Sequence, residues 1–131
     1  MPQAASVITS YKAPIQDAQR AMRYIRFYAS KFNVDKNKVG VIGSSAGGHL
    51  ASTLGTHFKT HYYDSKDDID MESTRPDFMM LIYPVISMKK GITHNGSRNS
   101  LLGKNPSEEL VLQFSNELRV SENTPVTFII H

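Results

Sequence analysis

The chain has 131 residues, 40% hydrophobic and 21% charged, a composition that excludes a disordered, fibrous or collagen-like protein and fits one globular domain. With no cysteine it excludes disulfide frameworks, thiolate metal sites and a cysteine nucleophile, and it leaves the redox compartment open. The net charge of +3 is small, and its basic residues are not interleaved with aromatics as a nucleic-acid stacking surface requires, so no nucleic-acid partner is expected.

Met1-Pro2-Gln3-Ala4-Ala5-Ser6 has neither the basic start nor the apolar run of a signal peptide. The longest apolar run, Phe78 to Ile86, is interrupted by Pro84 and falls far short of the about 20 residues that cross a bilayer. No membrane partner is expected, and the location is left unknown.

In chain order, Pro14, Ile15, Ala18, Met22, Ile25, Ala29 and Phe32 recur every three or four residues, which predicts an amphipathic helix with Pro14 in its first turn and Asn33 at its stop. Arg20, Arg23 and Arg26 share its other face and read as a solvated stripe. Lys38-Val39-Gly40-Val41-Ile42-Gly43 reads as a buried strand, and Ala46 to about Phe58 as a helix whose small residues press on a sheet. Thr60 to Arg75 is polar and acidic and reads as a solvated loop. It lacks the glycine and terminal glutamate of a calcium loop, so no metal is assigned.

Asp77 to Tyr83 is an apolar run ended by Pro84, the pattern of a strand buried on both faces. Lys89 to Asn105 reads as a surface loop. Asn105-Pro106 with Glu108 and Glu109 marks the start of a helix running to Phe114 or Ser115. Pro125 to His131 reads as a third buried strand. Strands alternating with helices imply an α/β fold, three-layer α/β/α, with a parallel sheet of about three strands in one unit over residues 1–131.

Gly43-Ser44-Ser45-Ala46-Gly47 is a G-x-S-x-G motif between a strand and a helix, the setting of a nucleophile elbow. The turn is sharp, so the serine takes a strained backbone and its hydroxyl projects from the carboxyl edge of the sheet, while Gly43 and Gly47 let strand and helix approach. Ser45 is the candidate nucleophile. The N–H of Ala46, at the positive end of the helix, is the candidate oxyanion donor. The alternative is a phosphate loop, but a P-loop wants Lys and Ser or Thr after its second glycine, and Gly48 is followed by His49-Leu50. A G-x-G-x-x-G fingerprint fails at Ser45.

The stretch from Val39 to Ala51, with Pro14 to Ala21, Arg75 to Phe78, Leu81 to Met88 and Leu101-Leu102-Gly103 followed by Pro106-Ser107, resembles acetylxylan-esterase-like esterase/lipase members of the α/β-hydrolase superfamily. The resemblance implies a serine carboxylic-ester hydrolase working through an acyl-enzyme without cofactor, on a carbohydrate or other small ester and removing acetyl or similar acyl groups. It implies a triad in the order Ser, Asp, His, of which only Ser45 has a counterpart. The aspartate and histidine would follow His131, and the glycine-rich loop with the second oxyanion N–H would precede Met1. The chain is therefore expected to be a central piece truncated at both ends and inactive alone. The alternative is a non-enzymatic fragment that associates with itself through an exposed sheet edge.

No internal base is expected. His49 lies in the elbow helix and reads as structural, and His57 and His61 sit at its far end. His94 lies in a loop, and His131 reads as structural at the end of its strand. Asp77 starts a strand at the wrong edge, and the acids from Asp64 to Glu72 have no fixed relation to Ser45.

Overall fold

The computed structural model describes residues 11–131. Its elements are α1 (Lys12–Phe27), β1 (Val41–Ser44), α2 (Ser45–Thr56), a 3-10 turn (Asp68–Met71), β2 (Phe78–Ile82), α3 (Asn95–Leu102), α4 (Glu108–Gln113), a second 3-10 turn (Asn116–Leu118) and β3 (Val126–Ile130). The strands form one parallel sheet in the order β1-β2-β3. Each parallel neighbour is reached through helix, as parallel pairing demands.

In register, Ile42 stands beside Met80 and Met80 beside Phe128, so one face carries that row. The other face carries Val41, Met79 and Leu81. There Ala51 of α2 packs on the two β2 residues, and the main core gathers Ile15, Met22, Leu54, Met88, Leu102 and Phe114. The burial of these side chains drives the helices onto that face. Among the described residues nothing covers the Ile42 face, where Ile42 is 62% and Phe128 57% exposed. The expectation of strands buried on both faces therefore holds on one face of β1 and β2 only, and β3 is exposed along its whole length. The described residues supply the sheet and one helical side of the three layers expected.

Helix α1 is shorter than its apolar periodicity suggests. It ends at Phe27 and runs on as turns to Asn33, whose φ of +56° is a left-handed stop that asparagine tolerates. Its buried stripe is Ile15, Gln19, Met22, Arg23 and Arg26, while Ile25 and Phe32 are exposed. The arginines are thus not a solvated face. Arg20 Nη1 pairs with Asp67 at 2.7 Å and Asp70 at 2.8 Å, and Arg23 Nε donates to Glu72 O at 2.9 Å. Arg26 donates to the carbonyls of Lys36 and Arg75 and to Asp77 Oδ2.

This also corrects the reading of the acidic segment. Tyr62, Ile69, Asp70 and Thr74 are buried in it, and a 3-10 turn holds Asp70 against the arginines of α1. Periodicity counts charge as outward, but a guanidinium given carboxylate and carbonyl partners loses little on burial.

Two further boundaries differ. The expected loop from Lys89 to Asn105 contains α3, capped by the His94 side chain accepting from Ser97 N–H and ended by Gly103 at φ +83°. Its Arg98 Nε donates to Met88 O at 2.8 Å, and Leu102 enters the core. Helix α4 is capped by Ser107, which accepts from Leu110 N–H, so the start lies two residues beyond the expected cap at Asn105.

Candidate active site

Ser45 ends the turn from β1 into α2 with φ +51°, a region that a non-glycine residue enters at a cost of about 1–3 kcal/mol. Three contacts hold it there. The Ser45 carbonyl accepts from Val85 N–H at 3.0 Å. A Cβ on Gly43 would run into the Gly47 carbonyl, and a Cβ on Gly48 would sit 2.6 Å from Pro84 Cβ. The strand end, the first turn of the helix and the exit of β2 are therefore in direct backbone contact. Gly47 is different, because a Cβ there meets nothing within 4 Å. Of the two motif glycines, the steric demand falls on Gly43, and Gly48 supplies the second close approach.

Tyr83 is a second strained residue, one that sequence reasoning missed. It follows β2 with φ +35°, and its N–H donates to Ile130 O at 2.6 Å. Ser45 and Tyr83 leave neighbouring strands at the same edge. Both line a cavity of about 390 Å3 with Ser87, Thr93, His94 and His131. A larger cavity of about 520 Å3 adjoins the elbow through Ala46 and Gly47. Its walls come chiefly from Tyr11, Ile15, Leu50, Met88, Leu101 and Phe114. His94 lines both cavities.

Ser45 and Ala46 are exposed, and no hydrogen bond reaches the Ser45 hydroxyl among the described residues. Of the histidines, His94 and His131 line the cavity that holds Ser45, while His49 and His57 are engaged elsewhere. His49 Nε2 lies 2.8 Å from Phe114 O and so carries the proton. Burial lowers its pKa, against the pull of that carbonyl, which keeps the ring neutral and structural. His57 lies between Tyr62 Oη and Asn116 Oδ1, away from Ser45. His94, which nothing but its place in a loop marked in the sequence, shares the Ser45 cavity. Its Nδ1 already accepts from Ser97 N–H at 3.2 Å, so in the neutral ring Nε2 bears hydrogen and is a donor. Asp77 is engaged by Arg26 and by Val39 N–H at the far end of the strands. Among the described residues the site therefore holds a strained serine, a helix-end N–H and two cavities, and no acid–histidine pair is hydrogen-bonded to the serine.

The BD-FAE family model matches residues 5–131. This chain belongs to the BD-FAE family. Endo-1,4-beta-xylanase B of Butyrivibrio fibrisolvens is 42% identical over 119 residues, covering 91% of this chain and 18% of that protein. An acetylxylan esterase of Xylanibacter ruminicola is 35% identical over 120 residues, 89% of this chain and 22% of that protein. Among solved structures, an acetyl ester-xyloside bifunctional hydrolase from Caldicellulosiruptor lactoaceticus superposes with a TM-score of 0.83 at 47% identity. That match covers 89% of this chain and 43% of the other. This BD-FAE chain thus has the α/β-hydrolase fold over its described residues, and it spans about a fifth of the curated relatives it matches and under half of that solved structure.

Proposed function

We propose that these residues form the nucleophile-bearing part of a serine carboxylic-ester hydrolase acting on carbohydrate esters, acetyl esters among them. The observation that carries this is Ser45 at φ +51° between β1 and α2, exposed at the carboxyl edge of the sheet. The Ser45 hydroxyl attacks the acyl carbon, its proton passes to a base, and the alkoxide of the sugar leaves with a proton from the same base. The Ala46 N–H, at the amino end of α2, donates to the oxyanion. Names of the relatives, an acetylxylan esterase and an acetyl ester-xyloside hydrolase, support acetylated carbohydrate as substrate.

The base and the acid that orients it come, in this reading, from outside residues 11–131, as does the second oxyanion donor. Without them this chain alone turns over at near-background rate. The test is hydrolysis of acetylated xylo-oligosaccharide by the product of the whole reading frame that encodes these residues, against its Ser45→Ala variant. A loss of about a thousandfold or more is expected. Unchanged activity in Ser45→Ala removes Ser45 from the mechanism.

A second reading, self-association, is favoured by the uncovered row Ile42, Met80 and Phe128. An apolar sheet face beside a strand edge that is unpaired among the described residues invites a second copy of the chain.

A further inference from the structure

Two cavities of different character flank the elbow. The one that holds Ser45 carries the hydroxyls of Ser87 and Thr93, and the Thr93 Oγ1 is buried without a partner among the described residues. The one reached through Ala46 and Gly47 is walled mainly by carbon, from Ile15, Leu50, Met88, Leu101 and Phe114. Its volume, about 520 Å3, lies in the range of roughly 300–1,000 Å3 that suits ligands far larger than an acetyl group. A methyl added at Gly47 meets nothing within 4 Å, so this motif glycine leaves open space on the cavity side instead of relieving a clash.

We propose that the apolar cavity is an acyl-chain site, so that the enzyme accepts aliphatic acyl groups longer than acetyl, with Gly47 as the residue that admits them. This rests on the esterase reading of Ser45 and extends it. The ester is divided by polarity. The sugar alcohol has hydroxyls to satisfy and suits the cavity with Ser87 and Thr93, whereas an alkyl chain is driven from water into the carbon-walled cavity. Ser45 lines the hydroxyl-bearing cavity, its chain neighbour Ala46 lines the carbon-walled one and His94 lines both, so an acyl carbon on Ser45 has its alcohol on one side and its chain on the other. The acyl group passes to Ser45 Oγ with the carbon–oxygen bond to the sugar breaking. Its chain stays in the cavity until water releases the carboxylic acid.

The test is binding, and it uses the chain as it is. Hexanoate and acetate serve as probes of the acyl part, followed through amide chemical shifts. Hexanoate is expected to give saturable shifts at Ala46, Gly47, Gly96 and Leu101 with at least tenfold higher affinity than acetate. Gly47→Leu fills the cavity from α2, and Ser100→Phe fills it from α3. Each is expected to weaken hexanoate at least tenfold, and the second stands in if the first fails to fold. Absence of saturable shifts at the cavity overturns the proposal. So do equal affinities for the two acids, or hexanoate binding that survives both filling variants. Intact hexanoate binding together with hydrolysis indifferent to Ser45→Ala would overturn the esterase reading and leave the cavity standing.

Discussion

The carbonyl oxygen of Ser45 accepts a hydrogen bond from the Val85 N–H at 3.0 Å, so the strained residue at the elbow is fastened to the segment leaving the neighbouring strand as well as to its own helix. Pro84, one residue earlier, packs on Gly48 of the helix, and Tyr83, one before that, bonds to Ile130 of β3. Three strand ends are thereby tied at one edge. A left-handed serine persists only where its surroundings over-determine it, and these contacts do so.

The two motif glycines should separate in a stability measurement. Gly43→Ala places a methyl against the Gly47 carbonyl and is expected to cost about 3 kcal/mol or to prevent folding. Gly47→Ala meets open space inside a helix and is expected to be neutral or to gain up to about 1 kcal/mol from helix propensity. Urea unfolding of both variants checks this, and equal losses would contradict the assignment.

Asp70 has a fully buried side chain among Arg20, Arg23, Tyr63 Oη at 2.5 Å and the Lys66 N–H at 2.8 Å. Burial pushes its pKa up, but the hydrogen bonds from Tyr63, Lys66 and Arg20 outweigh that and hold it below the usual carboxylate range. Asp70→Asn leaves two guanidinium groups facing a neutral amide and is expected to cost about 3 kcal/mol. Glu72→Gln breaks the Lys36 pair, whose lysine is 54% exposed, and should cost under about 1 kcal/mol. Paired denaturation curves give both numbers.

His57 makes stability depend on pH. Burial lowers its pKa to about 4 from 6.5, against the Asn116 hydrogen bond that favours the charged ring. The unfolded chain therefore takes up this proton near pH 6.5 and the folded chain only near pH 4. Between those values unfolding binds a proton, so stability is full above pH 6.5 and falls by roughly 3 kcal/mol as pH drops towards 4. His49, lowered by its own burial, acts in the same direction. Thermal unfolding from pH 7 to pH 4 should show the fall, and His57→Gln should flatten it. A slope untouched by His57→Gln would assign the effect elsewhere.

Phe128 and Met80 lie side by side on the uncovered face. If that face pairs two copies, sedimentation of the chain shows a concentration-dependent dimer, and Phe128→Lys with Met80→Lys returns it to monomer. A wild-type chain that is monomeric at all concentrations disposes of the association reading.

Much of the fold was legible because its signals are local. The apolar runs at Val41–Ile42, Phe78–Ile82 and Val126–Ile130 became three parallel strands, and the helix after Ser45 began where the small residues begin. The elbow was legible for the same reason, since Gly43, Ser45 and Gly48 meet within a few residues of chain. Helix α3 was not, because its cap is a histidine and its hold on the core is the long-range bond from Arg98 to Met88.

What the sequence by itself determined, then, is the order of strands and helices, the position of Ser45 at a strand-to-helix turn, and the resemblance to members of the α/β-hydrolase superfamily. Only tertiary structure decided which charges are inside, which sheet face is bare and what surrounds the serine. Arg23 and Arg26 are buried because carboxylates and carbonyls dozens of residues away arrive to meet them. Gly47 lines a cavity whose other walls include α1 and α3, segments far from it in the chain. Periodicity records which side of an element is apolar. Where a polar group finds its partner, and where packing leaves a gap, is set by segments far apart in the chain.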